Sequence, residues 1–164
     1  MRKKQKQRII LGIISVSLIA ATISYFYSSD QVKIQGFAFG NNLKSIQDEL
    51  KSLQIEFNSK STSLKEGDIT KEEFLEFADL HLKKIENIVV RYDELSPPPS
   101  FAGSVELLKL STKSQIESFK ETIEWIKTDD ESAKIRSESF LQEAFEFELA
   151  GLAEFNSAKS GINP

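Results

Sequence analysis

The sequence predicts an all-α protein: an N-terminal transmembrane helix followed by an antiparallel four-helix bundle outside the membrane. Three observations carry this. An uncharged apolar run, Ile9 to Tyr27, follows a cluster of basic residues. Beyond it, apolar residues recur at three- and four-residue intervals in four successive blocks, which is the period of a helix and not of a strand. Between the blocks stand a Gly-Asp turn, a triple proline and an Asp-Asp turn, each a place where helices stop or start.

The run IILGIISVSLIAATISYFY holds neither charge nor proline. At about 1.5 Å per residue it makes a helix close to the ~30 Å hydrocarbon thickness of a bilayer. Gly12, Ser15 and Ser17 are small positions at which membrane helices associate. Tyr25, Phe26 and Tyr27 close the far end, where aromatic rings favour the headgroup interface. Arg2, Lys3, Lys4, Lys6 and Arg8 precede the run with no acid among them. The positive-inside rule then places residues 1–8 in the cytoplasm as a basic tail and the chain from Ser28 onward outside it. A cleaved secretory signal is the rival. The apolar run is long for one, and the best small-residue cleavage pattern, Thr22-Ile23-Ser24, is crowded by Ile23 and Tyr25. An uncleaved signal anchor over 9–27 is the expectation.

Composition bounds the rest. Less the anchor, a chain of 164 residues leaves one domain. The net charge of -4 conceals an asymmetry: 16 basic residues face all 25 acids beyond the span, so the outer part carries -9. That balance disfavours nucleic acid and anionic lipid as partners and suits a cation or a basic protein. Without cysteine there are no disulfides, thiolate metal sites or cysteine nucleophiles. The outer domain must hold itself by packing, and twelve Phe residues supply the material. No Asn-x-Ser/Thr sequon is present.

Residues 28–42 are expected to form a juxtamembrane linker, since Gly36, Gly40 and Asn41-Asn42 weaken helix continuation. The bundle is expected over 43–156, with 157–164 a flexible tail. The first helix carries Leu43, Ile46, Leu50, Leu53, Phe57 and Leu64 on one side, with Lys60 interrupting. It stops near Glu66-Gly67-Asp68. Thr70 then has the spacing of a capping box with Glu73, and Ile69 and Phe74 that of a hydrophobic staple, so a second helix starts at Lys71. Its stripe of Leu75, Ala78, Leu82, Ile85, Val89 and Tyr92 is widened by Phe74, His81, Ile88 and Leu95, as in a globular bundle. Ser96-Pro97-Pro98-Pro99-Ser100 ends it, because proline lacks an amide donor and forces the preceding residue extended. A triple proline is also the kind of stretch that proline-reading domains bind, but a stiff hinge between two helical hairpins is the simpler role. The third helix should run from Phe101 to Lys127 with Val105, Leu108, Thr112, Ile116, Phe119, Ile123 and Ile126 inward. Thr128-Asp129-Asp130-Glu131 repeats the start signal, with Thr128 as cap. The fourth helix should bury Ala133, Phe140, Leu141, Ala144, Phe147, Gly151, Leu152 and Phe155. Four antiparallel helices return the C-terminus to the membrane side and leave the Ser96–Ser100 hinge facing the bilayer.

Candidate chemistry is sparse. His81 is the only histidine. Ala78 stands where a Glu-x-x-His metal motif needs its acid, and no second His or Cys completes a site, so His81 is expected in the core. The acids Glu72-Glu73-Glu76-Asp79, Asp129-Asp130-Glu131 and Glu143-Glu146-Glu148 lack the spacing of a calcium loop and read as solvated faces and helix starts. There is no phosphate loop, nucleophile elbow or dinucleotide fingerprint. No catalytic, cofactor or metal residue is assigned and no enzyme is expected.

The phrases GDITKEEFLEF, YDELSPPPSFAGSVELLKLS, IEWIKT and ELAGLAEFNSAK, spread over Glu66 to Phe155, resemble small uncharacterised membrane-anchored helical proteins of prokaryotes, of archaea in particular. The resemblance implies a helical-bundle ectodomain on a single anchor and brings no activity or catalytic residue. The bundle is also similar to the outer domains of membrane chemoreceptors, from which the chain departs in having only residues 1–8 ahead of its span. The functional expectation is a non-enzymatic interaction or accessory module that binds another membrane or envelope protein, or itself. Leu80, Trp125, Ile135, Leu149 and Ala153 lie off the main stripes and form the expected partner surface. The alternative is a bundle that binds a small ligand or a divalent cation.

Overall fold

The computed structural model describes residues 33–161. The helices are α1 (Lys33–Glu66), α2 (Lys71–Asp93), α3 (Ala102–Thr128) and α4 (Glu131–Ser160), with a 3-10 turn over Pro99–Phe101. No strand occurs among the described residues, and the helical bundle stands as expected. The apolar run Ile9–Tyr27 lies outside the described residues. Within them no helix is long and apolar enough to cross a membrane.

Two boundaries differ from expectation. α1 begins ten residues before Leu43 and runs straight through Gly36, Gly40, Asn41 and Asn42. Glycine in a helix interior costs about 1 kcal/mol. Burial of Phe39 beside Leu43 more than offsets that, since each large apolar side chain removed from water contributes roughly 1.5–3 kcal/mol. At the other end α4 continues past Asn156 to Ser160 and stops at Gly161 in the left-handed conformation, φ 70°. Phe155, fully in the core, and Ala158, packed against it, hold that last stretch down.

The start of α2 is as read. The Glu73 amide donates to Thr70 Oγ1 at 3.1 Å, and the Thr70 amide donates to Glu73 Oε2 at 2.7 Å. The second start signal works differently. Thr128 belongs to α3, whose chain turns at Asp129 with φ 57°. Asp130, not Thr128, caps α4, accepting from the Ser132 amide at 2.9 Å. A residue can cap only where the backbone is extended, and Asp130 has ψ 106° there.

Packing is asymmetric. α3 and α4 approach closely because small residues recur every seventh position on both: Ser104, Ser111 and Ser118 on α3, and Ser137, Ala144, Gly151 and Ala158 on α4. Hydroxyl contacts knit the seam. Ser118 Oγ donates to the Ser137 carbonyl at 2.9 Å, and Thr122 Oγ1 lies 2.7 Å from Ser137 Oγ. A Cβ on Gly151 would sit 3.1 Å from Leu108 Cγ. α1 meets α3 through large rings instead, with Phe57 stacked on Phe119 at 4.1 Å between centroids. At the hinge end Phe101 bridges Phe39 at 5.7 Å and Phe155 at 5.1 Å. α4 makes its close backbone approach to α3 and the Pro99–Phe101 turn, and no Cα of it comes within 8 Å of a Cα of α1 or α2. The predicted inward face of α4 is corrected accordingly. Ala133, Ala144, Gly151 and Phe155 are buried and joined by Glu148, while Leu141 is 51% exposed and Phe140, Phe147 and Leu152 are half-buried. Close approach needs small side chains, and they set the rotation of the helix.

Candidate functional site

Two layers of the core contain titratable groups. The first lies toward the Glu66–Thr70 turn. His81 on α2 is 1% exposed and ringed by Phe77 at 5.0 Å, Phe57 at 5.5 Å and Phe119 at 6.0 Å between centroids. Its Nδ1 lies 3.5 Å from Glu56 Oε2, too far for a well-formed hydrogen bond, and its Nε2 has no partner among the described residues. Burial holds the imidazole below its ordinary range, with the Glu56 charge opposing. A neutral histidine in an aromatic box is core material, as the sequence implied. No group of three His, Cys, Asp or Glu that could hold a metal ion occurs among the described residues.

The second layer lies nearer the hinge, and each helix contributes one polar side chain to it: Gln47 from α1, Tyr92 from α2, Thr112 from α3 and Glu148 from α4. All four are buried. Gln47 Nε2 donates to the Tyr92 hydroxyl. Thr112 Oγ1 donates to the Leu108 carbonyl at 3.1 Å and also bonds the Tyr92 hydroxyl. Next to this set Gln115 Nε2 donates to Ser111 Oγ at 3.3 Å and Gln115 Oε1 accepts from Gln54 Nε2. Burial pushes the Tyr92 hydroxyl above its ordinary range, and the nearby Glu148 charge adds to the rise.

Glu148 is the exception in this layer. It is 6% exposed, and Oε1 has no hydrogen-bond partner among the described residues. Burial alone pushes its carboxyl up to about 7, with no donor or cation offsetting the cost. A buried polar atom left unpaired costs about 1–3 kcal/mol, and more when charged. Ser61 Oγ on α1 is likewise buried without a partner among the described residues. Sequence reasoning placed Glu148 with Glu143 and Glu146 on a solvated face. The usable signal was its register: Glu148 follows Ala144 by four residues and precedes Gly151 by three, inside the small-residue stripe.

The expected partner surface is not one patch. Leu80 on α2, and Ile135 and Leu149 on α4, are exposed, as is Ala153. Ile135 and Leu149 are separated by about 21 Å along α4, four turns apart. Leu80 belongs to α2, no Cα of which comes within 8 Å of a Cα of α4. Trp125 is half-buried and carries Lys134 Nζ over its ring at 5.0 Å from the centroid. The interfacial residues Arg2, Lys3, Lys4, Lys6, Arg8, Tyr25, Phe26 and Tyr27 lie outside the described residues. A cleft of about 200 Å³ by the hinge is lined by Asn42, Ile46, Arg91, Glu94 and Leu95. Its Arg91 is already committed to Glu49 and to Ser45 Oγ.

No family model matches the sequence, and comparison with curated proteins and with solved structures finds no match.

Proposed function

We propose that the chain is a membrane-anchored extracytoplasmic interaction module, an accessory or scaffold subunit that binds another envelope or membrane protein and performs no catalysis. The anchor is Ile9–Tyr27, held to the bilayer by the basic residues before it and the aromatic trio at its end. The observation that carries the binding role is the uncovered side of α4. Among the helices only α3 approaches α4 closely by backbone, and Ile135, Leu141 and Leu149 are exposed along it. Exposed apolar residues on an ordered helix are the usual material of helix-in-groove recognition. The acidic outer surface favours a partner with a basic rim. Nucleic acid is not an expected partner.

In-membrane cross-linking of the tagged full-length protein, followed by mass spectrometry, tests this. A stoichiometric partner that is retained by the wild type and lost from Leu141→Glu and Leu149→Glu variants is the expected result. Recovery of the bait alone, or a partner indifferent to both variants, sinks the role assigned to α4.

A further inference from the structure

α4 has the weakest apolar hold on the bundle. The cluster of buried apolar side chains draws on α1, α2 and α3 along their lengths, but from α4 it takes only Phe155, with Leu152 and Ala158 packed at its edge. The other large apolar residues of α4 are half-buried or exposed. Ahead of Phe155 the helix is seated on its small residues, Ala133, Ala144 and Gly151, and on the Ser137 contacts to Ser118 and Thr122. Small side chains remove little apolar area from water, so α4 is the helix whose local opening costs least.

Glu148 lies within that seating, one turn from Ala144 and from Gly151, buried and with Oε1 unpartnered among the described residues. The groups of its layer on the other helices are neutral: Gln47 of α1, Tyr92 of α2 and Thr112 of α3. The charges next to them in the chain do not pair with it. On α1 Lys44 pairs with Asp48, and Lys51 is half-buried with no ion pair among the described residues. On α2 Arg91 pairs with Glu49 and Asp93 with Lys109. On α3 Lys109 also holds Glu106, and Lys113 is exposed. The Pro99–Phe101 turn has no titratable side chain. A carboxylate without donor or cation is poorly tolerated in such a place, and only water relieves it. We propose that Glu148 is a proton-operated latch: with the carboxyl protonated α4 stays closed on α3, and loss of the proton lets α4 lift so that the carboxylate reaches water. The latch does not depend on the partner role of the outer face of α4.

The test is amide hydrogen exchange of the full-length chain in nanodiscs of zwitterionic lipid, read by mass spectrometry and corrected for the intrinsic pH dependence of exchange. In the wild type the opening constant of α4 is expected to exceed that of α3 at every pH. It is also expected to rise about tenfold between about pH 6 and about pH 8, as a carboxyl near 7 when closed and at an ordinary 4.5 when open requires. Glu148→Gln is expected to lose the rise. Glu146→Gln, which alters an exposed carboxylate of the same helix, is expected to keep it. One opening constant shared by α3 and α4 would mean that only the whole chain unfolds. A rise lost in both variants would mean that surface charge drives it. Either result, a flat wild-type response, or an undiminished rise in Glu148→Gln overturns the proposal. The comparison of α3 with α4 across pH in the wild type decides it even where Glu148→Gln fails to fold.

Discussion

Glu148 and His81 are both buried, and both prefer their neutral forms, but they pull stability in opposite directions with pH. Glu148 titrates near 7 in the folded chain against an ordinary 4.5. Between these values the folded state holds the extra proton, so this group's contribution is most favourable at low pH and declines as pH rises through that window. The shift corresponds to roughly 3 kcal/mol at most. Glu148→Gln should therefore exceed the wild type in stability by about 1–3 kcal/mol near pH 8 and converge with it near pH 4, as read from urea midpoints. His81 is held neutral below its ordinary 6.5. Its contribution is full above 6.5 and is lost as pH falls below it, because the unfolded chain takes the proton first. His81→Gln should lower the midpoint overall yet flatten that acid limb, and an unchanged acid slope would refute the assignment. At this scale the sequence was half legible. His81 was expected in the core because no ligand set accompanied it. Glu148 was missed because acid-rich α4 offers many carboxylates, and only the rotation of the helix singles one out.

Helix limits and helix faces were legible where local chemistry decides them. The Thr70–Glu73 box and the stripes of α1 and α3 depend on spacing alone, and Leu43, Ile46, Leu108 and Phe119 are buried as expected; on α2 the buried face is rotated to Phe74, Ala78, His81, Ile85, Ile88 and Tyr92, and Leu75, Leu82 and Val89 of the expected stripe are only partly buried. Where the sequence weighs a weak propensity against tertiary burial, burial won: α1 continues through two glycines because Phe39 and Leu43 lie in the core. Two glycine substitutions separate the effects. A Cβ at Gly40 meets nothing within 4 Å. Gly40→Ala should therefore stabilise the protein by about 0.5–1 kcal/mol through reduced unfolded-state freedom. Gly151 faces Leu108 at 3.1 Å and Leu107 Cβ at 3.3 Å. Gly151→Leu should destabilise by about 1–3 kcal/mol or more by forcing α3 and α4 apart. Thermal melts of the two variants give the signs directly, and a neutral Gly151→Leu would mean that the seam is loose.

In the whole molecule α3 is the hub. It meets α2 and α4 by backbone approach and α1 through Phe57–Phe119 and Gln54–Gln115. Native-state hydrogen exchange should find the amides of α3 the slowest and those of α4, which only α3 among the helices approaches closely by backbone, opening earlier. Uniform protection across the four helices would contradict this hierarchy. Across the described residues the sequence by itself determined the helical class, the number of helices, the places where they turn and the apolar stripes of α1 and α3, because each follows from spacing, caps and proline within a few residues. Tertiary structure alone decided the rotation of α4 and the burial of Glu148. Those depend on how closely two backbones approach, which is set jointly by small residues on both helices and is invisible along either one.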